Sequence, residues 1–311
     1  MNPESRVRPS TTAAVLPEDS RIPRSHPQSG ATAEYDRYFH ILRTPPDLCA
    51  WTRSCLGLQE AVLADLAHAP SLDDGQRADI LTGLLYTSSA TLASWLRTTP
   101  GPAPEHHEPF AGARPGPGRS GADQGDQSGV EQGDQPGAEQ GDALRRWKLG
   151  HQLFHVLLAT MNTVLDETLT AAQDNQGPSL VQGMERLRVL YDAATAAMTY
   201  ASDVPTAAYQ DEIRPSMRPP FVGPGFSGVF NREHRAMTIG MRRLRRAVKD
   251  LPPETGPVDE IRHAALSLDA AQSRNHSGHV KICERCVPSG TSLLRHHLAQ
   301  SSPREEPLCD S

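Results

Sequence analysis

Metal-capable side chains are densest near the C-terminus, in the run His276-Ser-Gly-His279-Val-Lys-Ile-Cys283-Glu-Arg-Cys286. If the segment is helical, His279 and Cys283 stand at i and i+4 and share one face. An imidazole so placed can ligate a haem iron while the thiol reaches the macrocycle edge and forms a thioether to a vinyl group. A second reading takes His276 or His279 with Cys283, Cys286 and one of His296 or His297 as a tetrahedral zinc site. A third takes the segment as a reduced polar tail whose histidines fall there by chance.

Two other segments carry histidines at telling positions. In Trp147-Lys-Leu-Gly-His151-Gln152-Leu-Phe154-His155, His151 and His155 are four apart and can face one cavity from a helix. A histidine in such an apolar stripe is more often a satisfied core residue. In Asn231-Arg-Glu-His234-Arg-Ala-Met237, Asn231 is suited to cap a helix whose first turn presents His234. Cys49 and Cys55 read as small buried hydrophobes. Five cysteines, an odd and small number, argue against a secreted disulfide framework.

The elements that position these groups are helical. From Asp47 the apolar residues Leu48, Trp51, Cys55, Leu58, Val62 and Leu66 recur at three- and four-residue steps, and Ile80, Leu84, Leu92 and Trp95 suggest a second helix. Trp147, Phe154, Leu157, Met161, Val164 and Leu165 mark the stripe of a long helix that begins near Leu144, and another follows from about Leu180 to Tyr200. Prolines and glycines in YASDVPTAAYQDEIRPSMRPPFVGPGFSG predict an ordered irregular loop. Helices are expected after Asn231 to about Val248 and from Pro257 to Ser273. No alternating Val/Ile/Thr run argues for a sheet, so the class is all-α.

Residues 1–33 are rich in Pro, Ser, Thr and Arg and are expected to be a disordered leader, with N-terminal helices over 34–97. Residues 98–142, which include GDQSGVEQGDQPGAEQGD, read as a flexible low-complexity insertion. A helical region over 143–300 and a short tail, 301–311, complete the chain. Its 311 residues can bury a sizeable core unaided, and a net charge of -6 offers little to a nucleic-acid backbone. The N-terminus lacks the apolar run of a signal peptide, and no segment has the ~20 apolar residues of a membrane span. A cytoplasmic protein with neither nucleic-acid nor membrane partners is expected; homo-oligomerisation stays open.

Three places resemble the histidine-ligated haem-dependent aromatic oxygenases, the superfamily of tryptophan 2,3-dioxygenase. The His151-Gln152 pair is similar to the helix whose histidine faces the distal side of the haem in the tryptophan dioxygenases. His234, set in EHRAMTIG, resembles their proximal-histidine helix. His234 followed by His279-x-x-x-Cys283 resembles the pattern of the 3-methyl-L-tyrosine hydroxylases, whose haem is attached through one cysteine, and DEIRPSMRPPFVGPGFSG is similar to the L-tyrosine hydroxylases. The similarity runs from about Tyr35 to Cys286 without the insertion. No clear copy of the dioxygenases' Gly-Thr-Gly-Gly-type substrate loop is found, which sets tyrosine hydroxylation ahead of tryptophan ring cleavage.

The resemblance implies a helical bundle like tryptophan 2,3-dioxygenase and a haem cofactor bound by His234 and His279, with Cys283 as the covalent attachment. It also implies peroxide-driven hydroxylation of a tyrosine-type amino acid in the biosynthesis of an antibiotic-type secondary metabolite. His151 would be the distal acid/base, with an ordinary pKa near ~6.5, and hydrogen peroxide the co-substrate. Arg214 or Arg218 in the loop would grip the substrate carboxylate. The rival classes are a non-catalytic zinc-stabilised interaction protein and a haem sensor or carrier.

Overall fold

The computed structural model describes residues 14–17, 29–44, 48–98, 136–228, 231–252 and 255–287. Strand β1 (Ala14–Pro17) pairs in parallel with β2 (Ile41–Thr44), Ala14 opposite Ile41, and helix α1 (Ser29–Tyr38) lies between them in sequence. The helices α2 (Leu48–Leu66), α3 (Asp74–Thr98), α4 (Pro136–Gln173), α5 (Gly177–Ala201), α8 (Arg232–Lys249) and α9 (Val258–Cys286) make up the body. The protein is therefore predominantly helical, as the periodicity implies. No helix among the described residues is long and apolar enough to cross a membrane.

Helices α4 and α5 form the central antiparallel hairpin. They approach closely because small residues meet at both ends: a Cβ on Gly150 would stand 2.4 Å from the Cβ of Ala201, and one on Gly183 would stand 2.3 Å from Thr168 Oγ1. On this hairpin α3 and α9 pack against α5, and α8 packs against α4. Leu153, Leu157, Met161 and Leu165 of α4 and Leu180, Leu187 and Tyr200 of α5 are almost wholly buried. Each stripe keeps helical spacing, so burial of one face of each helix supplies most of the stability.

Two boundaries differ from those expected. The leader 1–33 contains β1 and the start of α1, because Ala14–Pro17 gains a backbone partner in β2 that composition cannot foretell. The insertion's last residues belong to α4, which starts at Pro136; a proline fits a first helical turn, where its missing N–H has no partner to lose. Residues 99–135 and the tail 301–311 lie outside the described residues.

The loop after Tyr200 is also more regular than expected. It holds α6 (Thr206–Ala208), a π-helical turn (Tyr209–Ile213) and α7 (Arg214–Ser216) in one continuous run. Pro205 caps its start and Pro215 sits in the first turn of α7, places where proline costs a helix little.

A buried ion pair ties three helices together below the hairpin. Asp65 Oδ2 of α2 accepts from Arg146 Nε of α4 at 2.7 Å and from Tyr200 Oη of α5 at 2.7 Å. Desolvation alone would raise the Asp65 pKa; the hydrogen bonds from Arg146 and Tyr200, with the charges of Arg146 and Arg145, outweigh it and hold the carboxyl below its ordinary range. A carboxyl depressed on folding contributes stability above its unfolded pKa of ~3.9, and that stability is lost as pH falls through the folded value. Asp65→Asn should flatten the acid limb of thermal stability between about pH 5 and pH 2 while lowering the melting temperature at pH 7. An acid limb as steep as in the parent protein would show that other carboxylates govern acid unfolding.

Candidate active site

A cavity of about 420 Å³ opens between α8 and α9, floored by α4 and α5. Phe154, Leu158, Met161, Ala194, Met198 and Met237 make its wall largely apolar. Into it project His234 from the first turn of α8, His276 and His279 from α9, His151 from α4 and Tyr35 from α1. Three separated histidine segments of the sequence thus converge on one space. His155 does not join them there; it is fully buried behind the wall.

The position of His234 follows from local chemistry. Asn231 caps α8: its Oδ1 accepts from the His234 N–H at 2.9 Å, satisfying one of the donors a helix start leaves unpaired. The same amide's Nδ2 stands 3.0 Å from Nδ1 of His155, and Asn162 Nδ2 donates to the Glu233 carbonyl at 3.0 Å. The start of α8 is therefore bonded to α4 at two points, and the His234 backbone cannot drift relative to the cavity floor.

Helix α9 is placed by its first half and by two polar contacts with α5. Ile261, Ala264, Leu268 and Ala271 are buried, Arg274 pairs with Asp192 at 2.7 Å, and Asn275 Nδ2 donates to Thr195 Oγ1 at 3.0 Å. Gln272, His276 and His279 then lie along the helix flank that borders the cavity. Cys283 falls within α9, four residues beyond His279, and its side chain lies outside the described residues.

All the cavity imidazoles whose titration is displaced move the same way. Burial drives His151 down to about 3, helped by the positions of His155 and His279 and opposed by its bond to the Trp147 carbonyl. Its Nδ1 lies 2.7 Å from that oxygen and must donate, so the proton is on Nδ1 and Nε2 carries the lone pair. The ring stacks on Phe39, with centroids 4.3 Å apart and planes at 11°. Desolvation also lowers His234, with His279 adding to the effect, and lowers His279, with His276 adding. Neutral imidazole is the form that binds metal.

The ordinary pKa expected for His151 is therefore corrected. Its aromatic shell of Trp147 and Phe39 strips water from the ring, and the charged form is lost. Arg214, at the start of α7, and Arg218, just after it, are not among the residues lining the cavity.

Among the described residues no three His, Cys, Asp or Glu side chains are placed to hold a metal ion, and the zinc arrangement draws on Cys283, whose side chain lies outside them. Cys286 is buried in the hydrophobic core, and His296 and His297 lie outside the described residues. The donor set of the cavity fits a flat macrocyclic cofactor instead. Neutral imidazoles stand on α8 and on α9, and apolar side chains and methionines line the same cavity.

Fold and cavity together define a class, that of helical proteins with a histidine-lined interior site. Within it the chain belongs to the SfmD 3-methyl-L-tyrosine peroxygenase family, whose profile matches residues 2–258. It is 26% identical over 163 residues to the 3-methyl-L-tyrosine peroxygenase of Streptomyces lavendulae, an alignment that covers 52% of this chain and 42% of that relative. The chain thus spans less than half the relative's length in that alignment. The crystal structure of reduced SfmD, soaked with sodium hydrosulfite, has a similar fold at TM-score 0.52 and 20% identity, covering 82% of this chain and 75% of the other. His151 and His234 fall within the family match; His276, His279 and Cys283 lie past its end.

Sequence reasoning missed Tyr35 as a wall residue, because it stands beside a leader without periodicity. Asn231 was legible as a cap, but its second bond to His155 depends on tertiary packing. A testable consequence concerns His151. Its ring resonances should stay flat from pH 5 to pH 8 in a histidine NMR titration, as a group with a pKa of about 3 requires. A midpoint near ~6.5 would mean that its aromatic shell admits water.

Proposed function

We propose that this protein is a haem-dependent hydroxylase that uses hydrogen peroxide to oxidise the ring of a tyrosine-type amino acid. One observation carries the reading: neutral imidazoles from α8 and α9 border one apolar cavity in a chain of the peroxygenase family. His234 and His279 would hold the iron, and Cys283, one turn beyond His279, would bond the macrocycle. Haem held by neutral imidazole supplies the activation of peroxide and the oxidising power, while the protein sets access and polarity.

The remaining residues bind, orient and exclude water. His151 presents an unprotonated Nε2 and takes a hydrogen bond from a hydroxyl of the substrate or of peroxide. So weak a base favours holding that proton in place over removing it, and the general acid/base role narrows to one of orientation. Phe154, Leu158 and Met161 would contact the aromatic ring. Neither Arg214 nor Arg218 is assigned to the carboxylate, because neither lines the cavity.

The test is the spectrum of the protein purified from cells supplied with haem precursor. A Soret band that resists acid-acetone extraction is expected, with peroxide-dependent hydroxylation of 3-methyl-L-tyrosine or L-tyrosine. Cys283→Ala should turn nearly all of the haem extractable, and His234→Ala should shift the Soret band. A colourless protein carrying zinc would overturn the assignment, and an unchanged covalent fraction in Cys283→Ala would overturn the thioether.

A further inference from the structure

Tyr35 comes from α1, distant in sequence from every histidine of the cavity, yet it forms part of the wall and is 4% exposed. Its ring is locked on three sides. It stacks on Phe226 with centroids 5.3 Å apart and planes at 17°, packs on Phe39 at 4.9 Å and meets the edge of His155 at 5.4 Å. A phenol held this firmly presents its hydroxyl in one place.

The direction of its hydrogen bonding follows from Asn231. Because Oδ1 of that amide accepts the His234 N–H, the amide orientation is fixed and Nδ2 can only donate. One Nδ2 hydrogen serves His155 Nδ1, and the Tyr35 hydroxyl is the other partner of the same side chain. Tyr35 Oη accepts there, which leaves its own O–H proton to donate. Burial raises the Tyr35 pKa above its ordinary value, so the phenol stays protonated at any physiological pH.

His151 supplies the complementary group. Its ring rests on the same Phe39 that Tyr35 packs against, at 4.3 Å, and its Nε2 is an acceptor because Nδ1 donates to Trp147. Both residues border the one cavity. A donor and an acceptor that border one largely apolar cavity match a hydroxyl, which both gives and takes a hydrogen bond.

We propose that Tyr35 and His151 recognise the phenolic hydroxyl of the substrate, Tyr35 O–H donating to its oxygen and His151 Nε2 accepting its proton. This inference rests on the function proposed above. It accounts for selection of a hydroxylated ring over a plain phenyl ring, because an analogue without the hydroxyl leaves both buried groups unpaired.

The experiment measures calorimetric binding of L-tyrosine and L-phenylalanine to the haem-loaded protein without peroxide, for the parent and for Tyr35→Phe. The parent should prefer L-tyrosine. Tyr35→Phe should weaken L-tyrosine binding about tenfold, leave L-phenylalanine binding unchanged and keep the parent's Soret position. Equal weakening of both ligands, or no weakening of L-tyrosine, would overturn the pairing and leave the haem assignment standing. No preference for L-tyrosine in the parent would do the same. A protein that takes up no haem would overturn the proposed function and this inference with it.

Discussion

The amide of Asn231 closes the end of α8 onto the flank of α4, and the geometry of the cavity depends on that junction. Its oxygen satisfies the His234 N–H, and its nitrogen reaches His155, a residue with no exposed surface. A helix start is otherwise a frayed element with unpaired donors. Bonded this way it becomes a fixed point, strengthened by Asn162 on the Glu233 carbonyl one residue further on. Removing the amide would release the cap, strand the His155 nitrogen and free the hydroxyl of Tyr35. Three consequences from one side chain make Asn231 a keystone that burial alone would not reveal.

Burial also decides the electrostatics. The apolar floor that a macrocycle needs is the same medium that disfavours imidazolium, so His151, His234 and His279 are all pushed toward the neutral state by their surroundings. Each of the three is lowered further by a neighbouring histidine, since two positive charges in one small space would repel. Neutral imidazoles suit hydrogen bonding and ligation, and the cavity is poorly suited to carrying charge.

The long helices were legible because their apolar stripes keep step for many turns; α4, α5 and α8 lie close to where periodicity puts them. Their ends and the parts between were less so. Pro136 reads as loop until one sees it in a first turn, and TAAYQDEIRPS reads as loop because two prolines bracket what is a helical run with a π turn. Of the candidate site residues, the histidines were visible as types at helical spacing. Tyr35 was not, because a single aromatic beside a Pro/Ser-rich leader carries no periodic signal. Arg214 and Arg218 were singled out by charge beside a glycine-rich loop, and neither is among the residues lining this cavity.

Helix α9 carries the largest inference with the least local support, and its rigidity is what licenses it. Its first half is buried against the hairpin through Ile261, Ala264, Leu268 and Ala271, and Arg245 of α8 pairs with Asp269 at 2.9 Å on its outer side. Asn275 and Arg274 then bond to α5, so the axis and rotation of the helix are set before the chain reaches His276. From there each residue advances the side chain by a fixed angle, and a slip of one position would swing His279 about 100° away from the cavity. Because the rotation is fixed upstream, Gln272, His276 and His279 come to border the cavity together.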